Sequence, residues 1–435
     1  MQLLRPRPNR RCVAEASTGQ NDQEPDLNPQ GGTFSPFRYP VFRAIWIANL
    51  CSNLGASLQS VGAAWLMTDL TESKQLIALV QSSATLPIML FGVFAGAIAD
   101  NFDRRRIMLA AQLGMLVTSA LLAVLTWVGL ISPALLLMFT ITVGIGTSLN
   151  SPAWQASVRQ QVDPKELPQA IALNSISFNI ARSVGPALGG VLISLFSVAL
   201  AFAVNAVSYL ALIFVLLWWR PEPRQVERRP ILPAIAVGLK YCAKSSHLRR
   251  ILARGFVLGF GLAGYQALLP AVVSLHLRGD ELDFGMMLGV FGIGSIVAAP
   301  FIGKVRRRLM LEGILAVGAL TFVAVLSVLA EVHDVMHAMP AAFLAGMAWV
   351  AVLTTLNTAV QMRSPDDILG RCLSIYQAVT FGGMAMGSWA WGAVADLKDL
   401  PFALHSASVF LIVSFVVLRL IAPLPKAGEG VIKSW

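Results

Sequence analysis

The amino-acid sequence predicts an all-α polytopic membrane protein whose twelve transmembrane helices form two pseudo-symmetric six-helix bundles. Hydrophobic residues make up 56% of the 435 positions and charged residues only 13%, which is far from the composition of a soluble globular domain. The chain also contains a succession of apolar runs of about 20 residues, the length that crosses a bilayer as a helix. Basic residues concentrate in alternate loops, as expected for a chain that crosses the membrane repeatedly.

The basic residues also predict the orientation. If the chain starts in the cytoplasm and spans the membrane twelve times, 29 of its 33 Lys and Arg residues lie in cytoplasmic segments. Three lie outside (Lys74, Arg278 and Lys398), and Arg182 lies within a span. The positive-inside rule therefore predicts a multi-pass plasma-membrane protein with both termini in the cytoplasm. This placement accounts for the net charge of +10, so we expect the lipid bilayer and a small molecule as partners, and no nucleic acid.

The chain divides into five segments. Residues 1–36 are rich in Pro, Gln, Asn and Arg and are predicted to be a disordered cytoplasmic tail. Residues 37–220 are predicted to be the N-terminal bundle, residues 251–422 the C-terminal bundle, and residues 423–435 a second cytoplasmic tail. Between the bundles, residues 221–250 are predicted to be a cytoplasmic linker. The predicted spans cover residues 43–66, 75–99, 107–130, 133–158, 168–195, a sixth run ending at 218, and then 251–275, 284–303, 309–330, 337–360, 371–395 and 402–422.

The central linker is strongly basic. From Arg220 to Arg254 it carries nine basic residues against Glu222 and Glu227. Its prolines break any continuous helix, whereas residues 234–248 are predicted to form an amphipathic helix on the membrane surface.

A short internal correspondence indicates two related halves. The loops before the fifth and eleventh spans share a Gln, a Pro four residues later and two charged residues, at an offset of 201 positions. Transporters built from structural repeats show this kind of weak internal symmetry. The matched residues are Gln160, Pro164, Lys165 and Glu166 in the first half and Gln361, Pro365, Asp366 and Asp367 in the second.

The stretch GAIADNFDRRRIML, residues 96–109, joins the second and third spans. Gly96 would let two helices approach closely, and Asp100 could lie at the N-terminus of a neighbouring helix or pair with an arginine. Arg104, Arg105 and Arg106 hold the loop in the cytoplasm. The stretch is therefore either a conformational hinge or a charged loop that only fixes topology.

Polar side chains recur at helical spacing in the early spans. Asn49 and Asn53 lie on one face of the first span, Gln81 near the middle of the second, and Asn150 and Gln155 in the polar second half of the fourth. Such faces line a water-filled cavity or pack closely against another helix. The residue types leave both roles open.

The fifth span is the most informative. Asn174, Asn179 and Arg182 lie within one broad helical face, and Arg182 lies deep in the apolar run. An arginine at that depth must face protein or water. It either binds an anionic or polar substrate group or joins a coupling network, or it ties helices together through carbonyls and Asn or Gln side chains.

The sequence GPALGG, residues 185–190, lies three residues beyond Arg182 on the same span. Pro186 removes a helix hydrogen bond and bends the chain, while Gly185, Gly189 and Gly190 allow backbones to touch. The motif is either part of the conformational machinery or a close-packing surface.

The second half offers further candidates for a cavity lining. They are polar or aromatic residues on the seventh, tenth and eleventh spans: Tyr265, Gln266, Asn357, Tyr376 and Gln377.

Two motifs carry a resemblance to the major facilitator superfamily. The pattern G-x-x-x-D-x-x-x-R-R-R from Gly96 to Arg106 resembles the loop between its second and third helices, although family members usually have Gly where this chain has Asp103. GPALGG resembles the fifth-helix signature of the antiporter branches. Residues 150–190 also resemble the bacterial subgroup of transmembrane secretion effector type, which includes the enterobactin exporter. The resemblance implies a bacterial inner-membrane protein that exports a small molecule, such as a siderophore or drug, by alternating access.

Other functions are less well supported. No Asp, Glu or His lies clearly within the core of a span, so proton antiport rests on the resemblance and its residue is unassigned. The four cysteines, in positions 12, 51, 242 and 372, show no metal or disulfide spacing. No cofactor, catalytic group or phosphate-binding loop is predicted, and we expect a monomer. An uptake permease of the same fold, or a receptor or scaffold, remains the alternative.

Overall fold

The computed structural model describes residues 34–220, 231–365 and 368–423, and these fold into twelve long α-helices and one shorter one, with a few short 3-10 or π turns beside them. Residues 1–33, 221–230, 366–367 and 424–435 lie outside the described residues. They hold most of both predicted tails, the start of the linker, and Asp366 and Asp367 of the internal correspondence. The helices are α1 (Pro40–Leu70), α2 (Lys74–Asn101), α3 (Arg104–Trp127), α4 (Pro133–Ser157), α5 (Leu167–Leu195), α6 (Val198–Trp218), α7 (Ile231–Lys244), α8 (Ser246–Ala271), α9 (Glu281–Arg308), α10 (Leu311–Glu331), α11 (Val335–Gln361), α12 (Leu369–Leu397) and α13 (Leu400–Ile421).

Ten of these helices are both long and apolar enough to cross a membrane. The two other long helices, α1 and α12, have 31 and 29 residues and are long enough by rise per residue. They are not among the ten because they contain more small and polar residues, many of which are buried against protein. Gly383 and Gly387 of α12, for example, lie directly against the backbone of Phe256 and Phe260 in α8.

The helices form two sets of six, α1–α6 and α8–α13, that meet along two seams. In one seam α2 packs on α12, and in the other α5 packs on α9. Each seam joins the second helix of one half to the fifth helix of the other. This exchange is the pseudo-two-fold relation expected for two related halves.

The two membrane sides carry different charges. We call the side of the α2–α3 connection, with Arg104, Arg105 and Arg106, the arginine side. The opposite side, where Glu72 and Asp280 lie in loops, is the acidic side.

The linker helix differs from its predicted range. It was expected over 234–248, but α7 ends at Lys244 and α8 begins at Ser246. The break occurs because the Ser245 side chain accepts a hydrogen bond from the backbone N–H of Leu248 and so caps a new helix.

Arg254, counted with the linker from the sequence, is instead a buried residue of α8. Its guanidinium lies 3.0 Å from the Glu312 carboxylate of α10 and donates to the Ala422 carbonyl oxygen at 2.8 Å. This ion pair joins α8, α10 and the end of α13 at the arginine side. The sequence hid it because the two partners are 58 residues apart.

A buried polar cluster inside the first half was not predicted from the sequence. The Gln59 side-chain oxygen on α1 accepts hydrogen bonds of 2.6 Å from Ser119 of α3 and from Asn205 of α6. The Asn205 amide also donates to the Tyr209 hydroxyl at 3.1 Å. Three helices are thus tied together by one acceptor.

We expect Gln59→Ala to destabilise the first half. It removes the acceptor from two buried donors, which costs about 1 to 3 kcal/mol for each unsatisfied group. The melting temperature of the purified protein should therefore fall. Ser60→Ala, an exposed position on the same helix, is the matched control; an equal melting temperature for both variants would show that the cluster does not stabilise the fold.

Candidate substrate site between the two halves

Arg182 lies at the middle of α5 and faces the second half of the protein. Its guanidinium carbon is 5.6 Å from the ring centre of Trp349 on α11 and 5.8 Å from that of Phe291 on α9. A cation over aromatic faces is stabilised by their quadrupoles, most strongly away from water. Among the residues that the structure describes, it forms these ring contacts and no hydrogen bond or ion pair. Of the alternatives left open by the sequence, a tie between helices through carbonyls and Asn or Gln side chains is not found among the described residues, where Arg182 contacts aromatic rings instead.

The rings around Arg182 belong to a larger aromatic cluster in the second half. Tyr265 of α8 stacks on Phe291 with 5.6 Å between ring centres and meets Phe322 of α10 edge-on at 6.1 Å. Phe291 and Trp349 are 6.2 Å apart. Of these, only Tyr265 was selected from the sequence. Phe291, Phe322 and Trp349 were missed because an aromatic residue in an apolar span carries no signal of its own.

Two polar atoms in this cluster are buried without a hydrogen-bond partner among the described residues. They are the hydroxyl oxygen of Tyr265 and the indole nitrogen of Trp349, and the two residues are 1% and 4% exposed. A buried polar group without a partner is unusual in a folded protein and calls for an explanation.

The α2–α12 seam is closed on the acidic side by a carboxylate. Asp396, near the end of α12, accepts a 2.6 Å hydrogen bond from the Ser73 hydroxyl and another from the backbone N–H of Lys74. Both donors lie at the N-terminus of α2, where a negative charge is favourable. Asp396 directly follows the predicted eleventh span and was not among the candidates selected from the sequence.

The GPALGG glycines of α5 contact two different helices. A Cβ atom on Gly189 would lie 3.2 Å from the Val61 Cβ atom, and Gly185 packs on Ser57, so both glycines face α1. Gly190 faces the other half, where an added Cβ atom would lie 2.7 Å from the Gly285 Cα atom of α9. The carbonyl oxygen of Pro186 also lies at this contact, 3.0 Å from the position that a Cβ atom on Gly285 would occupy. The motif therefore packs closely within one half and across the α5–α9 seam.

The arginine loop is held by backbone carbonyls. Arg104 donates to the Ala156 oxygen of α4 at 2.7 Å, and Arg105 donates to the Leu216 and Leu217 oxygens at the end of α6 at 2.6 and 3.1 Å. Cations at helix C-termini are favourable because the last carbonyls lack partners there. The loop therefore binds the ends of α4 and α6.

Asp103 caps the N-terminus of α3 by accepting a hydrogen bond from the backbone N–H of Arg105 at 2.9 Å. It also lies 3.8 Å from Arg106. Gly96 faces α12, with the Ser374 hydroxyl 3.7 Å from where a Cβ atom would lie. The side chain of Asp100 lies outside the described residues, so its role stays a prediction.

The other candidates differ in exposure. Gln155 donates a 3.3 Å hydrogen bond to the Ser151 hydroxyl on the same helix, and the Tyr376 hydroxyl is buried without a partner among the described residues. The buried candidates are Asn49, Tyr265 and Tyr376; the partly buried ones are Asn53, Gln81, Asn150, Asn174, Gln266 and Asn357; the exposed ones are Gln155, Asn179 and Gln377.

The described residues contain no group of three or more His, Cys, Asp or Glu that could hold a metal ion. They do contain two related six-helix halves, two equivalent seams and a central arginine between the halves. This is the architecture of a major facilitator transporter, a multi-pass membrane protein that carries small molecules.

Comparison with known proteins places the chain within that class. Residues 31–434 match the family of transmembrane secretion effectors, and the chain belongs to this family. It is 24% identical over 390 residues to the staphyloferrin A transporter of Staphylococcus aureus, covering 87% of this chain and 96% of the relative. It is also 24% identical over 401 residues to the enterobactin exporter EntS of Escherichia coli O1:K1, covering 88% and 92% of the two chains.

Solved structures share the fold. A bacterial homologue of the human lysosomal transporter Spinster, in an inward-facing and occupied conformation, superposes with a TM-score of 0.69 at 15% identity, covering 90% of this chain and 97% of the other. The prediction of a major facilitator fold is confirmed.

Proposed function

We propose that this protein is a secondary active exporter of a small molecule in the bacterial inner membrane. It works by alternating access, as a monomer, with both termini in the cytoplasm. In this arrangement the arginine side is cytoplasmic, in agreement with the positive-inside rule. The family membership and the exporter names of its relatives favour export.

The observation that carries the proposal is the asymmetry between the two sides. On the acidic side both seams are closed, by Asp396 on α2 and by Gly190 against Gly285. The exposed polar candidates Gln155, Asn179 and Gln377 instead lie in the halves of their helices nearer the arginine side. Polar side chains at membrane depth face protein or water, so they indicate an aqueous space that opens to the cytoplasm and receives a cytosolic substrate.

Proton antiport requires a group that titrates in the pathway. Asp69 at the end of α1 and Glu281 at the start of α9 lie close enough to interact electrostatically across the two halves on the acidic side. Two facing carboxylates repel each other when both are ionised. A proton that binds there from outside would remove this repulsion and stabilise the conformation in which the acidic side is closed. Export driven by proton entry requires proton binding to shift the equilibrium in this direction.

An uptake permease of the same fold is the second candidate. The relative from Staphylococcus aureus is named a transporter without a stated direction, and an uptake carrier also passes through a state that is open to the cytoplasm. A receptor or scaffold is less favoured because it would leave the buried polar atoms of Tyr265 and Trp349 without a purpose.

The direct test is accumulation of a panel of siderophores and antibiotics in cells that lack or overproduce the protein, with and without a protonophore. We expect overproduction to lower the accumulation of at least one compound and the protonophore to abolish that effect. Higher accumulation on overproduction would establish uptake instead, and insensitivity to the protonophore would contradict proton coupling.

A further inference from the structure

We infer that Arg182, Tyr265 and Trp349 form a recognition site for a small organic anion that carries a planar, unsaturated group. The inference rests on the proposed function, because it names the class of substrate that the exporter would carry. The anionic group binds the Arg182 guanidinium, and the planar group lies against the aromatic cluster.

The charge of Arg182 is the first step. Each Asp and Glu of the described segments lies in a loop or in the first or last turn of a helix, so none is at the level of Arg182 in the middle of α5. The ring contacts with Phe291 and Trp349 stabilise the cation only in part. An unpaired charge at this depth is costly, and an anionic ligand would remove that cost.

The unpartnered donors are the second step. The indole nitrogen of Trp349 can only donate a hydrogen bond, and the hydroxyl of Tyr265 can donate one. Arg182, whose guanidinium carbon lies 5.6 Å from the Trp349 ring centre, adds its N–H groups to the donors of this ring cluster. A ligand cation would be repelled by Arg182, and a neutral ligand would leave its charge without a partner. The donor set therefore selects an anion.

The rings are the third step. Phe291 and Trp349 line Arg182 on the side of the second half. Tyr265 already stacks on Phe291, so a planar ligand would pack against the ring of Trp349. A carboxylate attached to such a group satisfies the charge and the apolar surface together.

The site also draws its parts from both halves. Arg182 belongs to the first half, whereas Tyr265 and Trp349 belong to the second. A ligand that bridges them binds one relative arrangement of the halves better than another, and only such a difference lets a ligand shift a conformational equilibrium.

Isothermal titration of the purified full-length protein with three small probes tests the inference. Benzoate has both the charge and the ring, benzamide has the ring without the charge, and cyclohexanecarboxylate has the charge without the planar ring. We expect benzoate to bind, benzamide to bind at least about tenfold more weakly, and cyclohexanecarboxylate to bind several-fold more weakly.

Variants identify the residues. Arg182→Gln should weaken benzoate binding at least about tenfold, whereas Arg159→Gln, at an exposed loop arginine, should leave it unchanged. Trp349→Phe keeps a ring but removes the N–H donor, so it should weaken benzoate binding more than benzamide binding, because a hydrogen bond to a charged carboxylate is stronger than one to a neutral carbonyl oxygen. Trp349→Phe therefore tests the site through benzoate affinity even if Arg182→Gln folds poorly.

The inference is overturned if wild-type protein does not bind benzoate, if benzamide binds equally well, or if Arg182→Gln and Trp349→Phe both bind benzoate as wild type does. These results are distinct from failure of the proposed function. Energy-coupled export without benzoate binding would overturn only the anion site, and benzoate binding without export would overturn only the direction or the transport.

Discussion

Gly190→Leu is expected to abolish transport while leaving membrane insertion intact. Even a Cβ atom at Gly190 would lie 2.7 Å from the Gly285 Cα atom and 2.8 Å from the Glu281 carbonyl oxygen. Both are backbone atoms of α9, which cannot move aside as a flexible side chain can. The α5–α9 seam would therefore fail to close on the acidic side, and the protein would lose the state shown by the structure.

The matched control is Gly114→Leu, since a Cβ atom on that α3 glycine meets nothing within 4 Å. Transport should be measured together with labelling of a cysteine placed at Gln75, which lies where Gly392 of α12 packs on α2. A membrane-impermeant maleimide should label this position several-fold faster in Gly190→Leu than in wild type. Normal transport and normal labelling in a correctly inserted Gly190→Leu protein would refute a role for this contact in closure.

Removal of the positive charge of Arg182 is the second change that we expect to reduce transport strongly. Arg182→Ala should lower the transport rate by at least about tenfold, because it removes the proposed hydrogen bond between the Arg182 guanidinium and the substrate. A hydrogen bond to a charged group contributes about 1.5 to 3 kcal/mol, and 1.4 kcal/mol corresponds to a factor of ten. Arg182→Lys keeps the charge but not the planar group that stacks on rings and binds carboxylates in two places. We therefore expect it to retain only part of the activity.

The control for charge alone is Arg159→Ala, which removes an exposed arginine from the α4–α5 loop. Initial transport rates should be compared at matched amounts of membrane-inserted protein. A fully active Arg182→Ala variant would exclude both a substrate-binding role and a coupling role for this residue, and would leave it as a purely structural contact.

The extent to which the site could be predicted depended on the chemistry of each residue. Arg182 was identifiable because an arginine within an apolar run is costly, and the cost depends only on its position in the sequence. Its partners were not identifiable. Phe291 and Trp349 lie 109 and 167 positions further along the chain, and hydropathy treats both as ordinary span residues.

The arginine loop shows the same division. Three consecutive arginines between two apolar runs predicted the side of the membrane on which the loop lies. The sequence did not show that Arg105 binds the last carbonyls of α6 or that Asp103 caps α3. The contact between Arg105 and α6 depends on helix packing, because more than a hundred residues separate its partners.

The sequence by itself determined the fold class, the positions of the spans, the repeated halves and the distribution of charge between the two sides. These follow from local patterns, since the bilayer sets the length of a span and the basic loops set its direction. Only the tertiary structure decided which helices form the seams, that Asp396 caps the opposite half, and that a central arginine lies against aromatic rings. Those features require residues far apart in the chain to meet, and helix packing, not local periodicity, brings them together.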